Sequence, residues 1–370
     1  MAIKKLGFGL MRLPYADNPS NGNVDMETTK KMVDAYMKAG FTYFDTAAVY
    51  HGGHSEEVFG ELVAKRYPRE SFQVTSKMPV WNLKEEGDLD KIFNEQLKKC
   101  GVEYFDYYFM HSLGNGNYQS AEKFHGFEWM QKMKAEGKIK HPGFSFHDNA
   151  EMLDKILTEH PEVELVQLQI NYIDWESENV QSRKCYEVAK KHGKLISIME
   201  PIKGGSLANV MDDAKKIFTD YNPDASMASW AVRYAASFDN ILVVLSGMSN
   251  MEQLEDNISY MKDFKPLNAE EQACVAKATE IIKNSILIPC TACRYCTDGC
   301  PAKINIPRYF ELYNEQNRYG LNSFKWHYNE EKKKGGCPAD CVECGQCEEH
   351  CPQHLHIMDL LKEVGSKFES

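Results

Sequence analysis

"GFTYFDTAAVYHGGHSEEVFGELV", residues 40–63, contains a whole structural unit. TYFDT, from Thr42, is a short apolar run with the aromatic and β-branched content of a buried strand. A loop with two glycines follows, and SEEVFGELVAKRYP from Ser55 then has the spacing of an amphipathic helix and stops at proline. The alternation recurs along the chain. Further strand candidates are LGFGL (Leu6), FQVTSK (Phe72), YYFMHS (Tyr107), GFSF (Gly143), LVQLQI (Leu165), KLISIME (Lys194) and ILVVLSG (Ile241). Helical patterns between them include TTKKMVDAYMKAG, DLDKIFNEQLKKCG, VQSRKCYEVAKKHG and ASMASWAVRYAASF. Eight such units in about 260 residues predict an α/β fold, a (β/α)8 TIM barrel of ordinary size. The rival, a doubly wound open sheet, usually carries G-x-G-x-x-G after its first strand, and no strand here is followed by that turn.

Composition narrows the partners. Against 54 Asp and Glu stand 43 Lys and Arg, a net charge of -11, which argues against nucleic acid or an anionic membrane as the main partner. The one basic run, Lys332–Lys334, follows Glu330 and Glu331 and reads as a solvated linker. No stretch approaches the roughly 18 uninterrupted apolar residues of a membrane span, and MAIKKLGFGLMRLP lacks the apolar core of a secretory signal. The expectation is a cytoplasmic protein with reduced thiols, in which clustered cysteines suggest metal ligation before disulfides.

A barrel of this kind builds its site at the carboxyl ends of its strands. Asp45 closes the second strand, Tyr50 lies in the loop after it, Lys77 closes the third and His111 the fourth. Any one of these has a bland reading as a cap, a packed ring or a surface charge. Four chemically capable groups on three consecutive strand ends form a coherent set. A nearby ammonium is expected to lower the phenol's pKa, Asp45 to keep Lys77 charged, and His111 to orient a substrate carbonyl or share in proton transfer. Together they read as a proton-delivery site for reducing C=O with hydride from a cofactor.

With "TSKMP", "YFMHS", "GFSFH", "VQLQINY", "EPIKGGSLA" and "LSGMSNMEQLEDNI", the opening stretch resembles the aldo/keto reductase superfamily over roughly residues 3–262. The resemblance implies a barrel that binds NADP(H) or NAD(H) without a Rossmann fold, a small carbonyl substrate (aldehyde or ketone), and a catalytic tetrad matching Asp45, Tyr50, Lys77 and His111. By position, Ser145 and Gln167 match residues that hold the nicotinamide amide, and Asp256 and Asn257 match the end of an adenine-binding segment. Three positions depart from the family's pattern. Phe146 stands where an asparagine is usual, Met199 where a stacking aromatic is usual, and Gln253 where an arginine often meets the 2′-phosphate of NADP. Losing that guanidinium weakens the case for NADPH over NADH. Lys203 is a candidate phosphate contact and Trp81 a candidate pocket wall, each with an equal reading as an ordinary loop residue.

The C-terminal part repeats a different pattern. "CTACRYCTDGCP" from Cys290 and "CVECGQCEEHCP" from Cys341 are both C-x2-C-x2-C-x3-C-P, the spacing with which bacterial ferredoxins hold [4Fe-4S] clusters. In two-cluster ferredoxins the fourth cysteine of each run ligates the other cluster. That pattern implies Cys290, Cys293, Cys296 and Cys351 for one cluster and Cys341, Cys344, Cys347 and Cys300 for the other. Zinc, the competitor, needs neither a third cysteine at the same step nor the proline. Cys337 is left over as a bystander or alternative ligand, and Cys100, Cys185 and Cys274 read as core thiols.

The organisation expected is a barrel over 1–265, a helical connector over 266–286, and a small, mainly α-helical, ferredoxin-like two-cluster iron-sulfur domain over 287–370. Its leading function is nicotinamide-dependent carbonyl reduction, with clusters that transfer electrons, sense redox state or stabilise structure, and with room for a redox partner protein. The alternatives are a ferredoxin- or flavin-linked oxidoreductase, though no sequence pattern supports a flavin, and a non-catalytic electron-transfer or nucleotide-sensing subunit.

Overall fold

The computed structural model describes residues 4–16, 23–319 and 323–369. Residues 1–3, 17–22, 320–322 and 370 of the expected domains lie outside the described residues. Eight parallel strands close into a barrel in chain order: β1 (Leu6–Gly9), β2 (Tyr43–Asp45), β3 (Gln73–Met78), β4 (Phe105–Leu113), β5 (Ile139–Phe146), β6 (Leu165–Gln169), β7 (Leu195–Met199) and β8 (Ile241–Ser246). β8 returns to pair with β1, so neither end of the sheet is left as an edge.

Large and small residues alternate to fill the interior. Tyr43, Phe109, Leu165 and Val243 form a buried cluster. Glycines make the room: a Cβ on Gly7 would come within 2.7 Å of Leu245, and one on Gly143 within 2.4 Å of the Leu165 carbonyl and 2.7 Å of the Phe109 ring. The barrel is therefore packed solid, and its chemistry is confined to the rim.

Side-chain caps start the helices where the sequence pattern begins. Asp25 accepts from the Glu27 and Thr28 amides ahead of the helix Met26–Lys38, Asn149 caps Ala150–Glu159, and Asn250 caps Met251–Met261. The helix expected from Ser55 departs from regularity. It is α-helical over Ser55–Phe59 and continues as a π-helical turn, Gly60–Ala64. At the junction, Gly60 faces the end of the helix Asp88–Cys100 so closely that a Cβ would sit 2.5 Å from the Lys99 carbonyl.

The chain divides into two compact units, residues 1–201 with 228–268, and residues 202–227 with 269–370. The first holds all eight strands. In the second, the helix Asp212–Tyr221 packs against Ala269–Lys283, with the Tyr221 hydroxyl donating to Glu270 at 3.3 Å. Segment 202–227, which the sequence suggests is simply part of the barrel, thus groups with the C-terminal unit. The core of that unit includes Tyr309, Phe310, Tyr328, Leu361 and Phe368, contributed by the helices Ile306–Tyr319, Ser323–Lys332 and Ile357–Glu369. Asn314 ties the first cysteine run to this core, donating to the Ile288 carbonyl at 2.8 Å and accepting from the Ile288 amide at 2.9 Å.

Candidate active site and cluster cavities

β2 and β3 lie side by side, with Asp45 opposite Thr75. That register carries Lys77, two residues further on, beyond the end of β2 and over Asp45. Its Nζ donates to Asp45 Oδ1 at 2.7 Å, to the Thr46 carbonyl at 2.9 Å and to the Tyr50 hydroxyl at 3.2 Å. The three donor positions of the ammonium are thus occupied in a fully buried setting. Tyr50 lies five residues after the end of β2 and opens the short turn Tyr50–Gly53, which leaves it through left-handed conformations at His51, Gly52 and Gly53. The His111 ring stands edge-on to Tyr50 with centroids 6.3 Å apart, and the Trp81 ring lies 5.1 Å from His111. All four residues of the expected tetrad are brought together, and Trp81 stands next to them.

Burial dominates the electrostatics. It pushes the Asp45 carboxyl up and the Lys77 ammonium down, each opposed by the charge of the other. Burial, then the negative charges of Asp45 and Glu200, holds the Tyr50 phenol well above its ordinary value. This reverses the expectation that Lys77 lowers it. The ammonium's charge is already matched by Asp45 at contact distance, so little of it is left to favour a phenolate. Burial and then Lys77's charge keep His111 neutral, and its buried Nδ1 has no protein partner among the described residues. A protonated phenol beside a neutral imidazole with an unused nitrogen is a site able to donate a proton and hydrogen-bond an uncharged oxygen.

The expected cofactor residues are distributed unevenly. Ser145 and Gln167 are register partners on β5 and β6. Ser145 accepts from the Ser112 amide at 2.7 Å, and the Gln167 amide donates to Asp45 Oδ2 at 3.2 Å, so Gln167 adjoins the tetrad directly. Phe146 and Met199 occupy the ends of β5 and β7. Asn257 is buried and spans Ser246 (3.2 Å) and the Gln253 carbonyl (2.9 Å), while also accepting from the Tyr260 hydroxyl. Asp256 is half-buried beside it, and exposed Gln253 accepts from the Ser249 amide at 2.7 Å. Lys203 is buried and belongs to the second unit.

Several residues at or behind the site carry no motif signal. Arg12 and Glu200 form an ion pair at 3.5 Å and act on the Tyr50 phenol with opposite signs. The strand-end rule reaches Glu200, which follows β7, but nothing in the sequence pairs it with Arg12. Behind Lys77, the buried Glu56 accepts from Ser76 at 2.5 Å and Gln96 at 2.8 Å, and Gln96 also donates to the Lys77 carbonyl at 3.0 Å. This network fixes the end of β3.

The eight cysteines of the two runs line two cavities. One is bounded by Cys290, Cys293, Cys296 and Cys351, the other by Cys341, Cys344, Cys347 and Cys300. The fourth cysteine has crossed over in both, as the ferredoxin pattern implies, and four thiols lining one cavity suit a cubic cluster. Cys337 lines neither cavity. It precedes the turn Pro338–Asp340, where its amide donates to the Asp340 carboxylate at 2.8 Å.

Residues 5–280 match the aldo/keto reductase family. The chain belongs to that family. Residues 289–356 of this aldo/keto reductase match a 4Fe-4S dicluster domain, so the chain carries a two-cluster module after its barrel. Among curated relatives, an aldo-keto reductase of Glycine max is 32% identical over 151 residues, covering 39% of this chain and 41% of that protein. An NADH-specific methylglyoxal reductase of Escherichia coli is 24% identical over 281 residues, covering 69% of this chain and 78% of that one. Among solved structures, an aldo/keto reductase of Klebsiella pneumoniae in complex with NADP and acetate aligns with a TM-score of 0.60 at 18% identity, over 76% of this chain and 92% of its own. At that identity the likeness concerns the fold.

Proposed function

We propose that this aldo/keto reductase reduces a small aldehyde or ketone to the alcohol, with Tyr50 as the proton donor. The observation that carries the reading is the Lys77 ammonium, held 2.7 Å from Asp45 and 3.2 Å from the Tyr50 hydroxyl at the strand ends. A nicotinamide, when bound, supplies hydride to the carbonyl carbon. Tyr50 releases its proton to the carbonyl oxygen, and Lys77 Nζ, 3.2 Å away, donates a hydrogen bond to the oxygen left behind. Asp45 keeps Lys77 in place, and neutral His111 directs an uncharged nitrogen toward the oxygen's position. The nicotinamide complex of the Klebsiella neighbour and the unpartnered His111 Nδ1 support a ligand at this rim. Ser145, Gln167, Asp256 and Asn257 are the proposed nicotinamide and adenine contacts. Gln253 supplies no cation for a 2′-phosphate, so NADH is read as at least as good a donor as NADPH. We take residues 1–265 as the catalytic part, 266–286 as the connector and 287–370 as the electron-carrying part.

Hydride moves two electrons together, whereas each cluster passes one. The proposed role of the clusters is accordingly exchange of single electrons with a redox partner protein. The test is oxidation of NADH and NADPH by methylglyoxal and other small carbonyls. Tyr50→Phe is expected to lower turnover by about 10²- to 10⁴-fold, the usual value of a positioned acid, with the iron-sulfur absorbance unchanged. A Phe variant with full activity would remove Tyr50 from the mechanism.

A further inference from the structure

The two cysteine runs share one spacing, so their positions correspond one for one. The residue after the first cysteine is Thr291 in one run and Val342 in the other. Thr291 is 2% exposed, whereas Val342 is 64% exposed, the highest value among the large exposed hydrophobic residues described. The second cysteines differ in the same sense. Cys293 is half-buried, while Cys344 is exposed, alone among the eight cysteines of the two runs. Val342 and Cys344 both line the second run's cavity, so the exposed edge is part of that cavity's own wall.

The cover over the first run has a definite source. The turn Lys203–Ala208 belongs to the same compact unit, and its Gly204 rests directly on the backbone of Thr291. A Cβ on Gly204 would come within 2.2 Å of the Thr291 carbonyl oxygen and 3.0 Å of its Cα. Gly204 also takes φ 66°, which glycine adopts freely. Its lack of a side chain therefore lets the turn lie this close. Among the described residues no segment covers Val342 in the same way, as its exposure shows. Two runs of equal spacing thus differ because the fold lays a strap over one of them.

A protein that carries one electron must bring its redox centre close to a cluster, because electron transfer slows steeply with distance. A covered edge holds it away, whereas an exposed valine gives it an apolar point of contact. Electron-transfer encounters bury less than about 1,200 Å² in total, so an exposed edge without a groove is enough. Beside Val342, the Glu343 carboxylate is paired with Lys362 at 3.0 Å, which matches charge with charge and leaves the apolar contact to select the partner. We propose that the Val342–Cys344 edge is where this molecule exchanges electrons, and that its occupant is a one-electron carrier protein with an apolar face around its own redox centre. The cluster held by Cys341, Cys344, Cys347 and Cys300 is then the outer one, and that held by Cys290, Cys293, Cys296 and Cys351 the inner one. The inference rests on the reading that the clusters pass single electrons to a partner. In each event the reduced cluster loses one electron and the carrier gains one, with no bond or proton moved.

The probe is cytochrome c, a small one-electron haem protein. The full chain, purified anaerobically with both clusters loaded by iron count, is reduced with dithionite, freed of excess reductant and mixed with ferric cytochrome c at about 0.15 M salt, where distant charges are screened. Stopped flow follows the haem. Val342→Arg, which puts a charge at the apolar contact, should lower the second-order rate by about tenfold or more, and Val342→Leu should keep it. Ala292→Arg adds the same charge at an exposed position of the first run and should leave the rate unchanged. Should Val342→Arg fail to load, Val342→Gln decides by the same readout. Amide hydrogen exchange of the loaded chain, with and without cytochrome c, should show protection over 341–345 and none over 290–294. Methyl viologen, which needs no docking, separates the two ways of failing. Clusters that exchange electrons with neither viologen nor haem overturn the electron-carrier reading and the port with it. Clusters that react with viologen, but whose haem rate ignores Val342→Arg or falls equally with Ala292→Arg, overturn the port alone. Sedimentation showing a dimer of this chain that Val342→Arg dissolves would assign the edge to a second copy and also overturn it.

Discussion

Tyr50 and Lys77 show how much of the site depends on desolvation. A buried ion pair contributes little to stability as a pair, but removing one partner leaves the other charge without compensation. Lys77→Met is therefore expected to destabilise the barrel by about 3–5 kcal/mol in urea unfolding, and adding Asp45→Asn should recover part of that loss. A simple additive loss in the double variant would show that the two groups are not coupled. The raised pKa of Tyr50 also has a kinetic consequence. Reduction needs the protonated phenol, which a raised pKa preserves to higher pH, so the alkaline limb of kcat for reduction should lie above about pH 10, the ordinary tyrosine value. A limb near pH 7 would mean that the bound complex restores the ammonium's influence over the phenol. These residues were legible in the sequence because each closes or follows a strand. The direction of the phenol's shift was not, since it depends first on burial and then on the charges of Asp45 and Glu200 around the ring.

At the level of elements, the β/α alternation was readable because a parallel strand covered on both faces is continuously apolar and its neighbouring helices are amphipathic. All eight strand candidates correspond to strands, with ends that differ by a few residues. The irregular turn at Gly60–Ala64 was not readable, because its counterpart, the Lys99 carbonyl, lies on the next helix. Gly60→Ala is expected to cost about 1–3 kcal/mol through overpacking, measured by thermal unfolding, whereas the same change at Gly116, which has open space in the helix Asn115–Lys123, should lack that steric penalty. His51 ties the loop after β2 to the segment after β1 by accepting the Leu13 amide on Nε2 at 3.0 Å. That bond requires an unprotonated Nε2, and burial pushes the ring's pKa down to about 4. In the unfolded chain the ring titrates at its ordinary 6.5, so between these limits the unfolded state binds more protons. Stability from this group is present above pH 6.5 and lost as pH falls toward 4. His51→Gln should flatten the dependence of Tm on pH in that window, read from the near-ultraviolet circular dichroism of the barrel tryptophans.

Across the whole molecule, two units have two different sources of stability. The barrel has an extensive apolar interior of its own. The core of the second unit includes Cys296, Cys337 and Cys347, with Cys290, Cys300, Cys341 and Cys351 packed against it, so its ligands are part of its packing. Removing iron with a chelator under oxidising conditions should therefore loosen the helices Ile306–Tyr319 and Ile357–Glu369 and open them to limited proteolysis, while the barrel strands stay protected. Equal protection of both regions after iron loss would show that the helical core stands without its clusters. The sequence by itself determined the barrel, the four groups at its rim and the two cysteine runs, because periodicity and ligand spacing are local properties of the chain. Only the tertiary structure decided the rest: the protonated state of Tyr50, the pairing of Arg12 with Glu200, and the grouping of 202–227 with the C-terminal unit. Each depends on which distant residues share a buried space, and so on charge, desolvation and packing that no single segment encodes.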